Sequence, residues 1–202
     1  MTEDVRLSRH SPSSPMQLPD TPHVDVTESI MRVMSLVYPD SLLTDDAVAL
    51  INDLLRYTFR CIMYYAHLKF ENSCLRKANT CVATRMAFMN DVFEDLERDA
   101  STNGSLAVTR YFACSSDVYE QRAAGVEFSI SSVAEMFAKD QEKTKDACVF
   151  LAGVFEYLTT RLLENAVKSS EKREATAVSV TCGILQNYGM AVFFEPYVFS
   201  GR

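Results

Sequence analysis

The 202-residue sequence contains no tryptophan and only six glycines and six prolines. An all-β fold needs a turn about every ten residues, and glycine and proline build most turns. This shortage therefore argues against an all-β protein. No apolar run reaches the roughly 18 residues of a membrane span, and no leader of positive charge followed by apolar residues opens the sequence. We expect a soluble protein that is not secreted and has no membrane partner.

Recognisable catalytic groupings are also missing. The six cysteines are far apart and form no CxxC pair, so we read them as reduced core or surface residues rather than disulfides or metal ligands. The three histidines are scattered, and neither a Ser–His–Asp grouping nor a glycine-rich phosphate loop is evident. The sequence therefore predicts no enzyme, no cofactor, no metal site and no small-molecule substrate, in a reducing compartment.

The sequence also lacks an excess of basic residues. The formal net charge is −7, and neither half of the chain is basic. Most nucleic-acid-binding proteins are basic overall, so any contact with DNA must rest on local clusters of cations. Residues 1–26 hold four of the six prolines and show no apolar period. We expect this segment to be a disordered tail.

Apolar residues at helical spacing fill the rest of the first half. Ile30, Val33, Met34 and Val37 predict a short helix that Pro39 stops. Thr44 is placed as the N-cap of a long helix to about Phe70, and Thr80 as the cap of a third, short helix. A fourth helix is predicted over 94–112, bent or broken near Asn103–Gly104. The long helix has the apolar stripe Val48, Ile51, Leu55, Phe59, Ile62, Ala66 and Phe70.

The second half repeats the order short, long, short. Its short helices carry Ile130, Val133, Met136 and Phe137 before, and Val178, Thr181, Ile184 and Leu185 after, a long helix over 147–168. The long helix has the stripe Leu151, Val154, Phe155, Leu158, Leu162 and Ala166. One such unit cannot bury its stripe alone, whereas two clasped head to tail bury both. The fold class is therefore predicted to be all-α with one shared core.

Particular segments resemble core histones. Residues 37–41 (VYPDS) and 104–111 (GSLAVTRY) are similar to a 2B-type histone, and residues 124–128 (AGVEF) and 149–159 (VFLAGVFEYLT) are similar to a 2A-type histone. The resemblance covers about 27–190 and implies two tandem histone folds in an intramolecular handshake. Its implied division is a tail (1–26), a 2B-like fold (27–113), a connector (114–125), a 2A-like fold (126–190) and a short C-terminal tail (191–202). Fused histones in this order are known from large DNA viruses.

The resemblance also implies a function and partners. A histone doublet would wrap double-stranded DNA without sequence specificity, together with 3-type and 4-type histones, in a chromatin-like particle of a virion, a host nucleus or a viral factory. The aromatic residues of 191–202 would either fold back on the core or dock on the 3- and 4-type histones, and we favour docking. The alternative function is a histone-fold interaction module with DNA contact secondary.

Cations at three places would contact DNA if the resemblance holds. Two loops would meet at one end of the pair, a third loop would lie opposite residues 40–46 at the other end, and one cation lies on the first helix. The candidates are Arg76, Lys77, Lys139, Lys143 and Lys145 at the first end, Lys172 and Arg173 at the second, and Arg32. The alternative for each is an ordinary solvated surface charge.

Departures from the family weaken this surface. Ala175 stands where the resemblance puts a groove-facing arginine, and Asp45 and Asp46 put carboxylates at a helix N-terminus that would otherwise face phosphate. The family's acidic patch is reduced to Glu156, Glu164 and Asp95, with Arg161 at an acidic position. We therefore expect a weaker DNA complex and poor binding of proteins that insert an arginine into that patch.

Overall fold

The fold is all-α, as predicted. A computed structural model describes residues 17–70, 74–88, 94–113, 124–139, 141–170 and 174–199. These residues form α1 (Thr27–Val37), α2 (Asp45–Phe70), α3 (Lys77–Phe88), α4 (Glu94–Ala113), α5 (Ile130–Met136), α6 (Lys145–Lys168), α7 (Ala177–Gln186) and α8 (Tyr188–Phe199), with two-residue strands β1 (Leu42–Leu43) and β2 (Glu174–Ala175). None of the described helices is both long and apolar enough to cross a membrane.

The helices form two short–long–short units, α1–α2–α3 and α5–α6–α7. The predicted stripes of both long helices are buried, apart from Phe70 at the end of α2. The long helices meet near their midpoints, where the rings of Phe59 and Phe155 pack edge to face with centroids 6.4 Å apart. Buried residues of both units join in one core. Burial of each such phenylalanine stabilises the fold by about 1.5–3 kcal/mol, and here each ring depends on the other unit for its cover.

Loops of the two units pair at both ends of this core. At the strand end, β1 and β2 are parallel, with Leu42 opposite Glu174 and Leu43 opposite Ala175. At the bridge end, Leu75 pairs with Lys143, also in parallel. The Leu75 N–H donates to the Glu142 carbonyl at 2.9 Å, and the Thr144 N–H donates to the Leu75 carbonyl at 2.9 Å. The first loop of each unit thus pairs with the second loop of the other, so the units lie head to tail.

Helix α4 crosses α6 without the predicted break at Asn103–Gly104. It is continuous over Glu94–Ala113, and its glycine lies at the contact with α6. A Cβ on Gly104 would lie 2.7 Å from the Phe150 carbonyl oxygen, and one on Gly153 would lie 2.9 Å from the Gly104 Cα. The glycine thus permits a close approach of two helices rather than a bend.

The expectation of a disordered 1–26 is wrong for residues 17–26; residues 1–16 lie outside the described residues. The segment packs along α2, where Arg60 donates to the carbonyls of Pro19 at 2.8 Å and Leu18 at 3.2 Å. Val26 is buried in the core. Two arginines of α2 hold the segment through its backbone, since Arg56 also donates to the Thr21 carbonyl at 3.2 Å. The prolines of this segment correctly indicate that it is not helical, but they do not make it disordered.

The predicted C-terminal tail begins inside α8, and the expectation that it docks elsewhere is wrong for residues 191–199. Phe193 and Phe194 are buried, and the Phe193 ring stacks on Phe88 with centroids 4.7 Å apart. The Tyr197 hydroxyl donates to the Asp53 carboxylate on α2 at 3.1 Å. Phe193, Phe194 and Tyr197 therefore fold back on the core, which is the other predicted alternative. Residues 200–202 and most of the predicted connector, 114–123, lie outside the described residues.

Two local predictions are also corrected. Thr80 is buried inside α3 and donates to the Arg76 carbonyl, so it is not a cap. In α7 the buried face is formed by Ser179, Val180, Gly183 and Ile184. Val178 is 71% exposed and Leu185 is 46% exposed, so the predicted stripe was wrong at both residues. The five described cysteines are free thiols.

Candidate nucleic-acid interface

The bridge end places two helix N-termini side by side. Helices α3 and α6 each begin two residues after the paired residues Leu75 and Lys143. The first N–H groups of a helix have no partner within it and carry partial positive charge. Because the two preceding segments run parallel, both sets of N–H groups lie at one end of the molecule. Such an arrangement attracts phosphate.

Five predicted cations lie at this bridge end. Arg76 is exposed and precedes α3, and within the described residues no hydrogen bond or ion pair holds its guanidinium. Lys143 lies with its Nζ 5.3 Å from the ring centroid of Phe137, and Lys145 lies with its Nζ 5.5 Å from that of Tyr111. These rings steady the two ammonium groups by cation–π attraction. The other two are Lys77, which is half-buried, and Lys139, which is exposed.

Acidic groups at the bridge end reduce its positive charge without cancelling it. Glu142 is exposed, and Asp146 accepts a hydrogen bond from the Thr144 hydroxyl. Asp140 lies outside the described residues. The five cations outnumber these three acidic residues. The pairing of Leu75 with Lys143 brings together the two loops that carry these cations.

At the strand end a single carboxylate bonds backbone N–H groups of two helix N-termini. The Asp46 carboxylate accepts hydrogen bonds from the Thr44 hydroxyl, from the Ala47 N–H at 2.9 Å and from the Ala177 N–H at 3.4 Å. Asp46 thereby contacts the first turns of both α2 and α7. The Thr44 hydroxyl holds the pKa of Asp46 below its ordinary value, so the anion is stable in this place. The predicted competition with phosphate thus has a geometric basis for Asp46.

Other predicted features of the strand end are changed or untested. Ala175 is fully buried, so its position faces the core and is not one from which an arginine could reach DNA. The prediction that Ala175 replaces a groove-facing residue is therefore wrong. Lys172 and Arg173 lie outside the described residues. Among the residues that the structure describes, the strand end carries several acidic side chains, including the exposed Asp40 and Asp45.

Arg32 lies apart from both ends, on the exposed side of α1. Its guanidinium is paired with Glu28 one turn earlier, and both side chains are substantially exposed. An exposed pair of this kind contributes little to stability and can open when a phosphate competes. The beginning of α1 contacts the beginning of α5, because the Ser129 N–H donates to the Ser29 hydroxyl at 3.0 Å.

The residual acidic patch is neutralised within the chain. Glu164 bonds Arg161 at 2.7 Å and Lys168 at 2.6 Å, and the Lys168 ammonium is the main reason that its pKa is lowered. Asp95 pairs with Arg98 at 2.7 Å. Each of the three predicted carboxylates already has a partner within the chain. Glu164 and Asp95 pair with cations, and Glu156 accepts two backbone N–H groups. This supports the expectation that a guest arginine would bind poorly there.

Glu156 has a structural role that the sequence did not reveal. Its carboxylate Oε2 accepts both the Glu127 N–H and the Phe128 N–H, the latter at 3.2 Å. Burial raises its pKa, although both hydrogen bonds oppose that effect. The residue therefore fixes the segment before α5 to α6 and is not displayed as part of a surface patch.

A repeated motif orders the loops at both ends. Thr44 and Thr144 lie 100 residues apart, and each is followed two residues later by an aspartate and then an alanine. Each hydroxyl donates to that aspartate, and each hydroxyl oxygen lies 3.1 Å from a carbonyl of the opposing loop, that of Ala175 or Leu75. The Thr-x-Asp-Ala repeat is visible in the sequence, but of these two threonines only Thr44 was predicted to cap a helix.

Comparison with known proteins adds no family assignment. No protein-family model matches the chain, and no curated protein matches it significantly. Among the residues that the structure describes, no group of three or more histidine, cysteine or acidic side chains could hold a metal ion.

Proposed function

We propose that the chain is a fused pair of histone folds, 2B-like then 2A-like, that packages double-stranded DNA without reading its sequence. The reciprocal loop pairing is the observation that carries this proposal. Each unit's first loop runs parallel to the other unit's second loop, and a pair of helix N-termini follows each pairing. The histone handshake, two short–long–short units embraced head to tail, has this architecture.

The bridge end would supply the main DNA contact. Backbone N–H groups and side-chain cations there would bind phosphate oxygens, which sets position but carries no sequence information. Arg76 is exposed with no ion pair among the described residues, and Lys143 and Lys145 lie against aromatic rings. No chemical step is involved, so the proposed role is structural, in a nucleosome-like particle with 3- and 4-type histones.

The DNA complex would be weaker than that of a basic histone pair. Asp46 already occupies the helix N-termini of the strand end, and Arg32 is paired with Glu28. Each lost phosphate contact lowers the slope of log affinity against log salt by about 0.9. DNA would therefore open more readily at the strand end than at the bridge end.

A histone-fold interaction module is the second candidate. The net charge of −7 favours it, as does the acidic strand end. At that end Leu42 is 69% exposed and Val178 is 71% exposed, which suits a protein partner better than a phosphate backbone. In this function the chain would bind other histones, and DNA contact would be secondary.

Reconstitution separates the two candidates. The purified chain is assembled with 3- and 4-type histones on DNA and digested with micrococcal nuclease. Packaging predicts a protected DNA fragment of defined length. Histone binding without protection would reject packaging and support the interaction module.

Charge-neutral variants test where DNA is held. Arg76→Gln with Lys143→Gln removes two bridge-end cations, and we expect the salt slope of DNA binding to fall by about 2, or 0.9 per contact. Arg85→Gln with Lys168→Gln is the matched control, because these cations are exposed, lie elsewhere and pair with Glu97 and Glu164. Equal slopes for the two double variants would contradict a bridge-end interface.

A further inference from the structure

An open groove beside α2 has an acidic rim and an apolar floor. It lies between residues 23–27, α1 and the N-terminal half of α2, and its volume is about 560 Å³. Its floor includes Met31, Leu43 and Val48, and Met31 is 42% exposed although it is large and apolar. Its acidic lining residues are Asp25, Asp45 and Asp53. No lysine or arginine lines the groove.

These carboxylates differ from those of the predicted acidic patch. Glu164 and Asp95 are held by cations of the same chain. In the part of the chain that the structure describes, Asp25, Asp45 and Asp53 form no ion pair with lysine or arginine. Asp25 accepts hydrogen bonds from Thr27, its N–H lying at 2.9 Å, and Asp53 accepts the Tyr197 hydroxyl at 3.1 Å. The groove thus carries three carboxylates without a lysine or arginine partner next to exposed apolar surface, and His23 lies beside Asp25.

The groove walls are held in place by interactions already described. The residue 17–26 segment is tied to α2 through Arg56 and Arg60, and Val26 anchors its end in the core. Tyr197 of α8 orients the Asp53 carboxylate. A guest would therefore meet a preformed surface, which lowers the entropy lost on binding.

Spacing along α2 specifies the guest. Asp45 and Asp53 are eight residues apart on one helix, which corresponds to about 12 Å along its axis. In an extended peptide, side chains alternate in direction and rise about 3.3 Å per residue, so positions i and i+4 face the same way about 13 Å apart. Position i+2 faces the same way between them. A cation–x–apolar–x–cation segment therefore matches two carboxylates with an apolar floor between.

We propose that this groove binds an extended basic segment of a protein partner, with two arginines or lysines flanking an apolar residue. Asp45 and Asp53 receive the cations, and the apolar side chain lies on Met31 and Val48. Asp25, on the opposite wall, adds to the attraction. The proposal concerns a protein ligand and stands apart from the DNA contact at the bridge end.

Fluorescence anisotropy with synthetic peptides tests the proposal. The probe is a fluorescein-labelled peptide with the core Arg-Ser-Leu-Ser-Arg, and the comparison peptide has the same composition with its two arginines adjacent. We expect the spaced peptide to bind the full chain about tenfold more tightly than the comparison peptide. The factor corresponds to one charged hydrogen bond that the comparison peptide cannot form. Equal binding of both peptides would reject the spacing argument.

Matched variants locate the binding surface. Asp45→Asn with Asp53→Asn should weaken binding of the spaced peptide by about tenfold or more. Glu135→Gln with Glu195→Gln removes the same charge from exposed residues outside the groove and should leave affinity unchanged. If both double variants weaken binding equally, the attraction is non-specific and the groove is not the site. Circular dichroism of each variant verifies that it is folded.

Discussion

Replacing Gly104 with alanine should destabilise the protein, although alanine is the better helix former. In an exposed helix this change would stabilise by about 1 kcal/mol. Here the new Cβ would lie 2.7 Å from the Phe150 carbonyl oxygen and 2.8 Å from two atoms of its ring. The ring could turn slightly, but the carbonyl belongs to the backbone of α6 and cannot move without displacing that helix.

The magnitude follows from these two opposing effects. Overpacking a tight contact costs about 1–3 kcal/mol, and contact with backbone places this case near the upper value. Subtracting the propensity gain of about 1 kcal/mol leaves a loss of about 2 kcal/mol in the free energy of unfolding. Larger side chains at Gly104 should cost more.

Urea unfolding followed by far-ultraviolet circular dichroism measures this change. Thr102 lies two residues away on the exposed side of α4, so Thr102→Gly and Thr102→Ala give the propensity difference in the same helix. Alanine should be the more stable residue at 102 and the less stable at 104. A Gly104→Ala protein more stable than the parent, with an unchanged urea dependence, would refute the close crossing of α4 and α6.

Three further predictions concern α8, Glu156 and Asp46. Phe194→Ala should lower the free energy of unfolding by about 3–5 kcal/mol because Phe194 is fully buried. Tyr188→Ala is the control and should change it by less than about 0.5 kcal/mol, because that side chain is 69% exposed. Similar effects of the two substitutions in urea unfolding would mean that α8 does not pack on the core. Glu156→Gln keeps an oxygen for both N–H donors but removes a buried charge. Because the folded-state pKa of Glu156 is raised, the parent should lose stability relative to this variant as the pH rises above the ordinary glutamate pKa of about 4.3. Parallel curves of stability against pH for the two proteins would contradict this. Asp46→Asn should tighten DNA binding more than Asp45→Asn, since only Asp46 contacts the first turn of α7; equal gel-shift affinities would show that overall charge alone matters.

The sequence predicted the buried scaffold because a helical period records which side chains avoid water. Residues such as Ile51, Phe59, Phe155 and Leu158 lie in uninterrupted stripes, and all are fully buried. The buried face of the short helix α7 was predicted wrongly. Val178 and Leu185 were expected to be buried, whereas the buried face includes Gly183, which lies in close contact with Asn165. A glycine carries no hydrophobic signal, although it can mark the tightest contact of a helix.

The candidate site was predictable only in part, because charge type is encoded locally and pairing is not. Arg76 and Lys143 are basic wherever they lie, and the head-to-tail argument brings their loops together correctly. The availability of Arg32 and Glu164 depends on neighbours one turn away, Glu28 and Lys168, whose side chains could equally have pointed into water. The order of residues 17–26 depends on Arg60, far along the chain, and no local pattern reports such a contact.

Covalent joining of the two embraced units changes the thermodynamics of their association. Separate chains with this architecture would come apart on dilution, whereas here the complementary surface is always tethered and its effective concentration does not depend on how much protein is present. Melting should accordingly occur at one temperature whatever the protein concentration. The tether also fixes a one-to-one ratio of the units at synthesis, so neither accumulates as an orphan with an uncovered apolar stripe.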